Sequence, residues 1–272
     1  MTFDMNRTWA HSLAMVRANW QFLSLIAGVF FLLPNLVLVI AMPDMMGMLI
    51  GPGGDPEQMA EQLAAQVGPL LFVVMLAALF SMLGYGAMVA LLGPSRPTVG
   101  EALGASLRAF PVLLGTLAIG VIGYSAVVII GALAVGLIGA VLAVAVGQAV
   151  AATIGVILLI AVLFALALRF ILVVPVVMLE GERNPIAPFQ RSWRLTKPVR
   201  RQLVLFFFLL MIAYLVISML LFSVVGLAGS LFVTGLINGV AGAAVAVVLT
   251  AILVSLWEQL SGNAQGTASA FD

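Results

Sequence analysis

The 272 residues are 64% hydrophobic and only 8% charged, with a mean hydropathy of +1.27. An ordinary soluble domain is ~25% charged, so a soluble fold is excluded. The formal charge of +1 excludes the global basic character that nucleic-acid binding requires, and the absence of cysteine excludes disulfides and thiolate metal sites.

A bilayer core takes ~20 apolar residues per spanning helix. On that rule the sequence predicts an all-α integral membrane protein, a single domain over 1–272 with six spans at about 21–42, 69–92, 111–135, 150–179, 203–226 and 232–257. The first run carries Pro34 and Asn35 in its middle. It is too long for a signal-peptide core and is followed by AMPD, not a small-residue cleavage pattern, so it is expected to be retained. The tract from Pro111 to Leu179 is interrupted only by Arg169, and a glycine-rich apolar turn is expected between spans three and four. Spans five and six divide near the glycines of VVGLAGSLFVTG.

Charge tests this count, because cytoplasmic loops carry an excess of Lys and Arg. With the N-terminus inside, Arg7, Arg17, Arg96, Arg108, Arg183, Arg191, Arg194, Lys197, Arg200 and Arg201 all fall on the inner side. The outer loop 43–68 holds Asp44, Asp55, Glu57 and Glu61 and no basic residue. The expected location is a bacterial inner membrane with both termini cytoplasmic.

Three inner segments read as amphipathic helices in the headgroup layer. In DMNRTWAHSLAMVRANW, Asp4 is a cap and Met5, Trp9, Leu13, Val16 and Trp20 recur at helical spacing. In TVGEALGASLRAF, Thr98 and Glu101 form a capping box, with Leu103 and Leu107 on one face. In the third, Asn184 and Pro185 start a helix on which Ile186, Phe189 and Trp193 oppose Arg191 and Arg194, and Pro198 stops it. Arg191, Trp193, Arg194, Lys197, Arg200 and Arg201 are the expected headgroup contacts. Each segment holds a serine followed by a large apolar residue, at Ser12, Ser106 and Ser192. That pattern fits three repeats of an interfacial helix plus two spans; it also fits a generic cytoplasmic loop.

The run VVPVVMLEGERNPIAPFQRSWRLTKP, with LEG a short gap before RSWRLTK, resembles a bacterial six-span family described as the glycerophosphoryl diester phosphodiesterase membrane domain, together with the related YciC-like membrane proteins. The likeness is strongest over 165–200, and relatives often carry glycine where Pro198 stands. The soluble phosphodiesterase domain of some relatives needs His and a carboxylate set. This chain has one histidine, His11, and no such set, so the resemblance implies the membrane part alone.

Arg169 is the sharpest candidate for a ligand contact. If span four ends at Leu179, near a kink at Pro175, it lies ~15 Å inside, where a charge faces a bundle interior or water. Alternatively it snorkels to the interface. Its counter-ion would be Glu180, Glu258 or an external anion. Asn35 and Asn238 are the other polar mid-span groups; they could line a ligand cavity or bond between helices, and GLING (235–239) reads as a close-packing motif. No Walker loop, metal-ligand spacing or serine beside a base is present, so no catalytic residue, metal or cofactor is expected, and the protein is not expected to be an enzyme. The expected role is binding or transport of an anionic amphiphile or lipid in a cavity among the helices; the alternative is a scaffold holding a protein partner at its cytoplasmic face.

Overall fold

The computed structural model describes residues 3–41, 56–226 and 231–262. Residues 43–55 of the expected outer loop, residues 227–230 where spans five and six are expected to divide, and the tail beyond 262 lie outside them. The described chain is helical without strands, and six of its helical segments are long and apolar enough to cross a membrane.

Helix α1 (Met5–Ala27) starts where Asp4 accepts the amide of Arg7 at 3.0 Å. It kinks at Asn19 (φ −121°, ψ 17°), whose side-chain amide donates to the Met15 carbonyl at 3.0 Å. A side chain bonding into the i→i−4 ladder is a recognised cause of such a kink. The amphipathic stretch and span one are thus separate rods of one element. A π-helical segment, Gly28–Leu32, then leads into α2 (Leu33–Ala41). Pro34 has no N–H for the Phe30 carbonyl. Ser81 of the next helix supplies a donor at 3.1 Å, so the neighbouring Asn35 is not needed for it.

Helix α3 (Pro56–Leu92) begins well before the expected span two, turning 56–68 of the expected loop into helix. Helix α4 (Val99–Val146) is continuous through Pro111, so the second amphipathic segment is not a separate helix. At 48 residues it is ~70 Å long. The glycine-rich turn expected after 135 contracts to Gly147, whose φ of 84° only glycine adopts freely. Glycines in 136–146 do not break the helix, because in apolar surroundings nothing but the helix itself satisfies the backbone.

Span four is divided. Helix α5 (Gln148–Arg169) stops, residues 170–172 form a turn, and α6 (Val173–Glu180) resumes to a left-handed cap at Gly181. Pro175 sits in the first turn of α6, where a missing N–H is tolerated, so the break lies just upstream of the expected kink. Helix α7 (Ala187–Thr196) begins two residues later than expected. Asn184 accepts the Ile186 amide at 3.0 Å, and Pro188, not Pro185, occupies the first turn. Helices α8 (Arg200–Gly226) and α9 (Leu231–Ser261) complete the bundle.

The buried core gathers at one end of the bundle. There Leu172, Val176, Leu203, Ile252 and Leu256 form one cluster, and Leu23, Met88, Val89, Ala251 and Val254 form the other. The amphipathic stretches converge on this end through small hydroxyl residues together with a few apolar ones. Thr8, Ser12, Ser106, Ser192 and Thr196 are buried together with Met15, Ala102 and Leu195, whereas Trp9, Leu107, Ile186 and Trp193 are exposed.

Candidate functional site

Arg169 is the last residue of α5, beside α7. The depth expected for it assumed one continuous helix to Leu179, and the break at 170–172 removes that assumption. Its carbonyl, freed by the helix end, receives Ser192 Oγ at 2.7 Å. Ser192 Oγ in turn accepts the Leu172 amide at 3.3 Å, so one buried hydroxyl closes both sides of the break. The Arg169 guanidinium lies 4.6 Å from the centre of the Trp193 ring. Phe170 packs edge-on against Phe189 (5.3 Å) and tilted against Trp193 (5.8 Å). Arg169 Nη1 is buried and has no hydrogen-bond partner among the described residues.

Both carboxylates considered for Arg169 are engaged elsewhere. Glu180 accepts Arg191 Nε at 3.1 Å and Trp257 Nε1 at 3.0 Å. Glu258, 4% exposed, meets His11 Nε2 at 3.0 Å. A buried charged donor without a partner costs about 1–3 kcal/mol or more, and the Trp193 face offsets part of that through cation–π attraction.

The serine arrangement recurs. Ser106 Oγ donates to the Leu83 carbonyl at 2.8 Å, and the separation of 23 residues equals that between Ser192 and Arg169. A side chain that accepts a backbone amide two or three residues further on stands eight residues before each serine: Asp4 before Ser12, Thr98 before Ser106, Asn184 before Ser192. The first unit differs in detail. Ser12 Oγ bonds its own helix at Thr8, and α9 reaches that point through Ser255 Oγ to the Thr8 carbonyl (3.4 Å) and Gln259 Nε2 to Thr8 Oγ1 (2.9 Å).

Arg169, Asn35 and Asn238 are not brought together. The neighbours of Arg169 pack near Ile252 and Leu256, which puts Asn238, fourteen positions before Ile252, ~20 Å away along α9. Asn238 is exposed, while Asn35 lies against Gly239, where a β-carbon would sit 3.7 Å from it. GLING therefore acts where α2 and α9 approach closely. Of the headgroup candidates, Arg194, Lys197, Arg200 and Arg201 are exposed, and Arg191 is exposed but tied to Glu180.

Sequence reasoning missed the His11–Glu258 pair, which joins residues 247 positions apart, and the cleft beside it. It also missed the serine closure of the break; the shared eight-residue spacing was the signal available for that.

No match was found among curated proteins or solved structures. The protein is a multi-pass membrane protein, and its residues 141–261, from the last turns of α4 to the end of α9, match the family described as the membrane domain of glycerophosphoryl diester phosphodiesterase, in agreement with the likeness carried by LEG and RSWRLTK.

Proposed function

We propose that the protein binds the anionic headgroup of a membrane lipid at the α5–α6 break, through Arg169 with Trp193. The observation that carries this reading is the buried Arg169 Nη1, which has no partner among the described residues while the two candidate carboxylates are bound elsewhere. A phosphate oxygen beside α7 would complete the guanidinium's hydrogen bonding, and Arg suits phosphate through its planar fork. In this reading the protein holds its ligand without transforming it, and the exposed Arg194, Lys197, Arg200 and Arg201 raise the local concentration of anionic lipid. Ser106 and Ser192 each seat an amphipathic segment on a carbonyl of the preceding span, while the first segment is held from α9 through Ser255 and Gln259.

Anionic lipid retained by the purified protein is expected to fall several-fold in Arg169→Ala, with thermal stability unchanged because no internal carboxylate is stranded. Arg169→Lys should retain an intermediate amount. Unchanged lipid in Arg169→Ala overturns the reading and leaves a scaffold role, in which the basic face meets a protein partner.

The same reading places the protein in a bacterial inner membrane with the interfacial helices and both termini cytoplasmic. A membrane-impermeant maleimide applied to intact cells should miss cysteines introduced at Ser95 and Glu182 and label them after permeabilisation. Labelling in intact cells would invert the topology.

A further inference from the structure

The spanning part of α9 carries a polar group that the bundle does not use. Asn238 is exposed, and its amide has no hydrogen-bond partner among the described residues. Gly239 beside it faces Leu32 and Asn35, so α2 lies to one side of the amide without bonding it. Asn19 shows the usual remedy within one helix, donating to the carbonyl four residues back at 3.0 Å, and Asn238 makes no such bond.

Depth makes the unused amide costly. Ser255 of the same helix bonds the Thr8 carbonyl of the amphipathic stretch at 3.4 Å, and Asn238 stands seventeen positions before it. At ~1.5 Å per residue that is ~25 Å along α9 from the interfacial level, inside a hydrocarbon core ~30 Å thick. No water reaches an amide there, so another chain is the natural source of its hydrogen bonds.

The residues that share its face extend the argument. Gly242, Val245 and Leu249 follow Asn238 at steps of four, three and four, the spacing of a helix-pairing seam. Gly242 and Leu249 are exposed, Val245 is half-buried, and a β-carbon at Gly242 would have no atom within 4 Å, so a second helix can approach closely. The seam ends where α9 enters the buried core at Ile252.

We propose that the protein pairs with a second copy of itself along Asn238, Gly242, Val245 and Leu249 of α9. Two copies inserted with the same topology bring every residue to the depth of its own counterpart. A side-chain amide is both donor and acceptor, so across a twofold axis each Asn238 donates to the other and accepts from it. An unrelated membrane protein would need a polar group at that same depth; a second copy has one by construction. One polar residue in an otherwise apolar seam also fixes the register of the pair.

The test uses the full chain, which has no cysteine of its own. In nonionic detergent, native mass spectrometry is expected to show a dimer for the parent. Association should weaken about tenfold in Asn238→Leu, as for the loss of interhelical amide bonds in an apolar medium. It should weaken also in Gly242→Leu, where the side chain blocks the approach, and stay unchanged in Arg169→Ala, which separates this contact from the lipid site. In native membranes, Leu249→Cys should cross-link between copies under mild oxidation, whereas Val240→Cys, on the opposite side of α9, should not. A monomeric parent, an Asn238→Leu protein that associates as the parent does, or Val240→Cys cross-linking as readily as Leu249→Cys overturns the proposal. Thermal unfolding of Asn238→Leu at a dilution where the parent is monomeric should match the parent; a loss there would mean that Asn238 is used within its own chain, and overturns it as well.

Discussion

Replacing His11 with leucine is expected to destabilise the protein by about 1–3 kcal/mol, the cost of leaving a buried hydrogen-bonding group without its partner. The asymmetry of the pair sets the direction. The Glu258 side chain is 5% exposed and that of His11 27%, so removing His11 takes the 3.0 Å partner from the more buried group, at the contact between α1 and α9. Replacing Glu258 as well removes the unpartnered group, so the His11→Leu, Glu258→Leu double variant should recover most of the loss. Unfolding measured in one detergent for the two single variants and the double variant gives the coupling. Additive effects would mean that the contact does not stabilise the bundle. Arg191→Ala is the comparison: its pair with Glu180 is 45% and 27% exposed, and its loss should cost at most about 1 kcal/mol.

Why that pair was invisible in the sequence, while the spans were not, follows from what each depends on. Spans are local. Twenty apolar residues are legible in any window of the chain, and the six helices stand where the apolar runs do. Helix continuity is also local, yet it was misread at 98–110 and after 135, because glycine and proline rules drawn from water lose force where an unpaired backbone has no solvent to turn to. The amphipathic segments were found by their large apolar residues, but Trp9, Leu107 and Trp193 stay exposed, while Thr8, Ser12, Ser106 and Ser192 face the protein beside Met15 and Leu195. Small hydroxyl residues let helices approach and bond a neighbour's carbonyl, which apolar periodicity does not register. Arg169 was legible as an anomaly, but its surroundings were not. That Glu180 serves Arg191 and Trp257, and Glu258 serves His11, depends on contacts 11 to 247 residues apart.

Gly84→Ala should cost about 1–3 kcal/mol through overpacking, against the ~1 kcal/mol that alanine ordinarily gains over glycine in a helix. A β-carbon at Gly84 would collide with Phe30 Cβ and would lie 2.7 Å from its Cγ. Phe30 Cβ is fixed to the backbone, so no rotamer of phenylalanine clears the space. The π-helical segment and α3 would have to separate, and the separation strains the Ser81 bond to the Phe30 carbonyl that substitutes for the amide missing at Pro34. Gly131 is a graded control, because the atom its β-carbon would meet is Leu159 Cδ1, the movable end of a flexible side chain, so Gly131→Ala should cost less. Gly123, with nothing within 4 Å, should be neutral or slightly stabilised by the same change. Thermal unfolding of the three variants in one detergent should rank Gly84 as the most damaging, then Gly131, then Gly123. A Gly84→Ala protein as stable as Gly123→Ala would show that α3 and the π-helical segment are not in close contact, and the serine bond beside Pro34 would fall with it.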